Sequence, residues 1–300
     1  MLVNEKIREE RIDLVVDNLD FAIKNEKETL EYILKKIGNT LACIRILGNK
    51  YIFRASKNLL FEKDFEKFKQ DMYIYGKLRI MGRDSRRILS GSGIIEFCET
   101  LMSNNKEIID FLIRNIDVVA YENEKDKYIK SESYRFLART ILLALKGDWE
   151  DVIRRSDIYL NNPSKSSYDK YKYLEFEFLK ALALKDSLKM KETLEKMLEK
   201  KVAKKMLNDM STAFDFYLHI FVIMYAKIAM YHGIDLGIDH EIAPKELIDI
   251  TPAKEYYEPY EFMKKFDLNT ITKEEWLDWI FEYHYDVKEL EREISMGLYI

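Results

Sequence analysis

Proline and glycine are scarce in this chain. Four prolines and ten glycines in 300 residues exclude collagen-like and low-complexity sequence and favour long uninterrupted helices. Cysteine is scarcer still. Cys43 and Cys98 lie far apart in the apolar stretches LACIRIL and IIEFCETL, which makes neither a disulfide framework nor a metal site. Both read as small core residues of a reducing cytoplasm, the expected location. An apolar run long enough to span a bilayer is also missing. The most apolar stretch, FDFYLHIFVIMYAKIAMY, carries Asp215, His219 and Lys227 and reads as a buried helix, since a membrane span needs about 20 residues with few or no charges. The opening MLVNEKIREERIDL is charged from its fifth residue and lacks the apolar region of a signal peptide.

What is present is apolar and charged material in quantity, 47% and 34% of the chain, enough for a large core and a solvated surface. The net charge of −4 hides an asymmetry. Residues 241–300 hold 15 acidic and 7 basic side chains, whereas residues 1–240 hold 38 and 42. A nucleic-acid binder shows a basic face, and the polarised end here is acidic. That points toward a basic protein partner or toward nothing more than solubility; no direct nucleic-acid contact and no membrane are expected.

Helical periodicity runs through most of the chain. Ile7, Ile12, Val15, Val16, Leu19 and Ile23 form one stripe over residues 5–24; Leu30, Ile33, Leu34, Ile37 and Leu41 form another over 26–47, ending near Gly48. A third helix is expected over 51–80, and GRDSRRILSGSG interrupts the pattern. Three helix pairs follow, with Asn105, Asp148 and Ser187 placed to cap their second helices. Leu143-Ala144-Leu145-Lys146 recurs as Leu182-Ala183-Leu184-Lys185, and stacked pairs of this kind bury a shared face. The expected fold is all-α: stacked antiparallel helix pairs in a tetratricopeptide-like array. The expected divisions are residues 1–90 as an N-terminal helical region, 91–262 as the array with a closing strap, and 263–300 as a C-terminal helical extension, together forming one continuous domain.

Three of the four prolines (Pro244, Pro252, Pro259) and two glycines (Gly233, Gly237) crowd into residues 232–262. Gly233 suits the left-handed position that ends a helix. Pro244 suits the first turn of a short helix PKELI, and Pro252 and Pro259 keep ITPAKEYYEPY extended. An irregular strap is expected here, before a last helix opened by a Thr272–Glu275 capping box with an Ile271–Trp276 staple.

The candidates for chemistry are thin. His219 reads as a core or groove histidine. His232, Asp235, Asp239 and His240 offer four ligating side chains within nine residues but have no zinc-site spacing, so His232 is expected to serve a helix end. SGSG after Arg86-Arg87 lacks the phosphate-loop spacing. No Gly-x-Ser-x-Gly elbow is present. No catalytic residue, metal ligand or cofactor is expected, and so no enzyme. The aromatic residues at the acidic end stand out. Tyr256, Tyr257, Tyr260, Trp276, Trp279, Tyr283 and Tyr285 are interleaved with Glu255, Glu258, Glu261, Glu275, Asp278 and Glu282. Rings among carboxylates have the composition of a surface for a basic protein partner; equally, the rings could staple the last helix to the rest.

The segments ALKGDWEDVIRR, FLKALALKD, YAKIAMYHGIDLGID and IAPKELIDI followed by YYEPYEF occur in that order. Their succession resembles the immunity protein 49 family of bacterial polymorphic-toxin systems, in which helix pairs lead to an apolar helix, a Gly turn and Pro- and Tyr-containing elements. The resemblance covers about residues 94–262. It implies an all-α, non-enzymatic cytoplasmic protein that binds and neutralises a cognate toxin, for which a basic nuclease domain is one candidate. The rival reading from the residues is a tetratricopeptide-like scaffold that binds peptides or assembles a complex.

Overall fold

The computed structural model describes residues 2–83, 93–120, 130–207, 211–284 and 286–295. Arg86, Arg87 and residues 90–92 of the SGSG stretch lie outside the described residues, as does Tyr285. Among the described residues the fold is all-α, with fifteen α-helices and no strand; one antiparallel bridge joins His240 to Ala243. Contacts group the chain into two compact units, each drawn from separated segments. The first comprises Met1–Arg11, Leu89–Cys98 and Ala120–Thr251, the second Ile12–Ile88, Glu99–Val119 and Pro252–Ile300.

The N-terminal helices of the second unit differ from the sequence expectation. Helix α1 (Glu5–Lys35) continues through residue 25, where Asn25 donates its side-chain amide to the Phe21 carbonyl at 2.7 Å. The break comes instead after Lys35, where Lys36 is left-handed and the Ile37 N–H reaches the Tyr32 carbonyl at 2.9 Å, and Gly38 follows with a φ of +65° that is cheap only for glycine. Asn39 then caps α2 (Thr40–Lys57) by accepting the Ala42 N–H at 2.9 Å. Gly48 lies inside α2 and faces α3 (Phe65–Met81), where a Cβ would make ordinary contact with Tyr75 Cδ2 at 3.4 Å. The single helix expected over 51–80 is two, divided by a π-turn (Asn58–Glu62) and a left-handed Lys63. Helix α3 is buried along almost its whole length, including Lys69, Gln70, Asp71 and Lys77. Helices α4 (Gly93–Leu101), α5 (Lys106–Arg114) and α6 (Ile116–Val119) follow. Asn105 caps α5 as expected, accepting the Ile108 N–H at 3.0 Å.

In the first unit, α7 (Tyr134–Lys146), α8 (Trp149–Asn161), α9 (Lys172–Ala183), α10 (Ser187–Leu198) and α11 (Lys200–Met206) each pack on the next. Helices α7 and α9 close in the same way. Gly147 is left-handed and the Asp148 N–H reaches the Leu143 carbonyl at 2.9 Å; Lys185 is left-handed and the Asp186 N–H reaches the Ala181 carbonyl at 2.9 Å. These equivalent closures pair Gly147 with Lys185, so the repeated Leu-Ala-Leu-Lys is one residue out of structural register. Asp186 is accordingly the cap of α10, accepting the Lys189 N–H at 3.0 Å, and Ser187 is its first helical residue.

Helix α12 (Ile220–Tyr231) starts later than its apolar run and is buried on all sides. Its polar side chains must therefore find partners inside. The Lys227 ammonium donates to the Asp249 carbonyl at 2.8 Å, and the Tyr225 hydroxyl donates to Glu175 Oε2 at 2.6 Å. Gly233, with φ +75°, ends α12 as expected. Pro244 precedes α13 (Lys245–Ile248) as its cap.

Burial pushes the Glu175 carboxyl up to about 7, against the opposing pull of Tyr225 and Lys172. A carboxyl raised in the folded state favours folding below its unfolded value of 4.5, and that contribution is lost as pH rises through about 7. Glu175→Gln keeps an acceptor for Tyr225 without a buried charge. It is expected to stabilise the chain by about 2 kcal/mol at pH 8 and to change little at pH 5, as read by urea denaturation at the two pH values.

Candidate partner-binding surface

The strap is built to lie extended. Residues 251–260 form no helix, because Pro252 and Pro259 lack N–H donors and bias their predecessors away from helical backbone. The strap satisfies the polar groups that α3 buries. The Gln70 carboxamide donates to the Tyr257 carbonyl at 2.9 Å and accepts the Tyr257 N–H at 3.1 Å. The Glu258 carboxylate accepts from the Tyr73 hydroxyl at 2.9 Å and pairs with the buried Lys77 ammonium. Tyr256 packs on Tyr73 with ring centroids 5.0 Å apart and donates its hydroxyl to the Ser103 carbonyl at 2.6 Å. Tyr260 is buried and donates to Glu26 Oε1 at 2.6 Å while accepting from Tyr51 at 2.9 Å. Burial raises the Glu26 carboxyl, but its bonds from Lys50 and Tyr260 outweigh burial and hold it below the usual range. Beside the strap is a cleft of about 470 Å³, bounded by Arg54, Asn58, Gln70, Asp71, Lys254 and Tyr257.

Helix α14 (Lys273–Tyr283) begins at the expected capping box. The Glu275 N–H donates to Thr272 Oγ1 at 3.1 Å, and the Thr272 N–H donates to Glu275 Oε2 at 2.8 Å. Its aromatic face points inward. Trp276 is 2% exposed and lies 5.2 Å from the Phe111 ring; Trp279 is 5% exposed and donates its indole N–H to the Met81 carbonyl at 2.9 Å. Tyr283 packs on Trp279 at 4.3 Å. The reading of these rings as exposed anchors is therefore corrected: Tyr260, Trp276, Trp279 and Tyr283 are core, because each buries more apolar area inside the unit than a rim position would. Of the described aromatic candidates Tyr257 alone is exposed, at 51%, while Tyr256 is half-buried.

The carboxylates are arranged differently. Glu275, Asp278 and Glu282 are exposed, and Glu258 is drawn inward by Lys77. A shallow depression of about 290 Å³ is lined by Lys265, Asp267, Glu275, Asp278, Trp279 and Glu282. Glu282 meets Lys36 at 3.1 Å, an exposed pair that contributes little. The face of α14 thus presents more negative than positive charge to solvent. Helix α15 (Val287–Ser295) is mixed in charge, with Arg292 beside Glu289 at 3.7 Å.

The histidines serve the backbone. His219 caps α12 by accepting the Val222 N–H at Nδ1, 3.3 Å, and burial pushes its ring down to about 3, so it is neutral near pH 7. His232 stacks edge-on against Trp149, and its Nε2 lies 2.8 Å from the Ala144 carbonyl in the last turn of α7. The helix end it serves is thus a neighbour's as well as its own. Asp235, Asp239 and His240 accept the N–H groups of Gly237, Lys245 and Ile242. Among the described residues no group of three or more ligating side chains is arranged to hold a metal ion. No helix among them is long and apolar enough to cross a membrane.

The family model described as immunity protein 49 matches residues 94–247, just over half of the chain. No curated protein and no solved structure matches. The matched span runs from α4 into α13 and ends before the extended residues 251–260 and α14. On that match the chain belongs to the immunity protein 49 family.

Proposed function

We propose that this chain neutralises a cognate protein toxin by forming a stoichiometric complex with it in the cytoplasm, without chemistry of its own. Family membership supports the class of function. The observation that carries the choice of surface is the run of exposed carboxylates on α14, Glu275, Asp278 and Glu282, anchored by rings buried beneath them. A rigid acidic face steers a basic partner to the correct orientation and speeds its capture. A basic toxin domain, with a nuclease as one example, is the partner this face fits. Tyr257 at the rim of the cleft beside the strap, with Tyr256 and Glu258 next to it in the chain, is the exposed ring such a partner could also cover.

Two substitutions separate surface from core. Asp278→Lys with Glu282→Lys leaves stability within about 0.5 kcal/mol and is expected to weaken association with the toxin about tenfold or more, with loss of growth rescue in cells co-expressing the cognate toxin. Full rescue and unchanged affinity would refute α14 as the contact face. Preferential binding of short peptides over a folded toxin would favour the scaffold reading. Trp276→Ala is expected to cost about 3 to 5 kcal/mol, read by thermal or urea unfolding; its loss of rescue would follow from unfolding and would say nothing about contact.

A further inference from the structure

The first unit carries a basic surface that whole-chain charge conceals. Helix α11 reads Lys-Lys-Val-Ala-Lys-Lys-Met. Val202, Ala203 and Met206 are buried, and Lys200, Lys201, Lys204 and Lys205 are all exposed. The two lysine pairs stand one helical turn apart, about 5.4 Å along the axis. Of the carboxylates near this face, Glu199 pairs with Lys196 at 2.9 Å, Asp169 accepts from Ser164 at 2.9 Å and Glu175 accepts from Tyr225 at 2.6 Å, while Asp215 lines a depression with Lys204. The Lys205 ammonium lies 5.3 Å from the centre of the Tyr168 ring, which is 68% exposed. Lys170 lies 5.4 Å from the Tyr171 ring. Tyr168, Tyr171 and Lys205 together form the mouth of a small cavity whose inner wall includes the almost fully buried Lys172 ammonium.

We infer that the solvent face of α11, with the Tyr168 ring beside it, binds single-stranded nucleic acid. Exposed rings among cations stack bases while the cations track phosphates. The cations here are all lysines, point charges suited to phosphate; planar pairing with protein carboxylates favours arginine, and lysine is depleted at protein–protein contacts. The surface lies within residues 94–247 and is independent of the acidic α14 face, so the two proposals stand or fall separately.

Fluorescence anisotropy with a labelled oligouridylate of about 20 nucleotides tests this on the full chain. Binding is expected at about 50 mM salt, with a steep fall as salt rises. Lys200→Glu, Lys201→Glu, Lys204→Glu and Lys205→Glu combined are expected to flatten the plot of log affinity against log salt by about 3. Tyr168→Ala, which leaves the charges in place, is expected to weaken binding about tenfold with the slope unchanged; it also serves as the second variant if the fourfold one misfolds by circular dichroism. No binding at low salt, or an affinity indifferent to both variants, would overturn the inference. Equal displacement by poly-glutamate at matched charge would do the same, assigning the surface to an acidic protein.

Discussion

A helix covered on every side has to find partners for whatever polar side chains its sequence carries. That constraint organises the second unit. Helix α3 buries Gln70, Asp71 and Lys77, and leaving any of them unpaired would cost on the order of 1 to 3 kcal/mol. Asp71 is met by the Arg54 guanidinium and the Asn58 amide. Gln70 and Lys77 are met by the strap, through the Tyr257 backbone and the Glu258 carboxylate. Only an extended segment offers free backbone groups of this kind, because a helix consumes its own. The crowding of prolines before residue 262 thus keeps the strap's donors and acceptors available to a buried helix. The first unit meets the same constraint around α12, where the Asp249 carbonyl takes Lys227 and Glu175 takes Tyr225.

The division of labour at α14 follows from the same economy of burial. Tryptophan and tyrosine rings bury 150 to 250 Å² each, so a helix with Trp276, Trp279 and Tyr283 on one face turns that face inward. What remains outside is the charged face. A partner reading this end would meet carboxylates first, with Tyr257 as the one large exposed ring of the described set. The lysine face of α11 lies in the other unit and has the opposite sign, which is why the net charge of −4 describes neither surface.

Local signals in the sequence were reliable where they involve backbone chemistry a few residues long. The Thr272–Glu275 box, the Asn105 cap and the left-handed Gly233 all occupy their expected positions. Signals that depended on one element's relation to another were not. The two stripes of α1 looked like two helices, since periodicity shifts phase around residue 25, yet nothing there breaks the backbone. The repeated Leu-Ala-Leu-Lys suggested equivalence at one offset, while helix closure at Gly147 and Lys185 set it one residue away. The cap of α10 is Asp186, one residue before the Ser187 that spacing favours, and the cap of α12 is His219, well inside the apolar run that opens at Phe214.

By itself the sequence determined an all-α chain, the interruption at residues 232–262, the acidic character of its end and the family-like order of its segments. These depend on composition, spacing and turn chemistry, which act over a few residues at a time. Tertiary structure alone decided which face of each helix meets water. A ring beside a carboxylate in sequence reads as an anchor or as core with equal ease. The choice depends on whether Phe111, Phe266 and the Met81 carbonyl wait beneath it, and those groups lie far from α14 along the chain or beyond its cap.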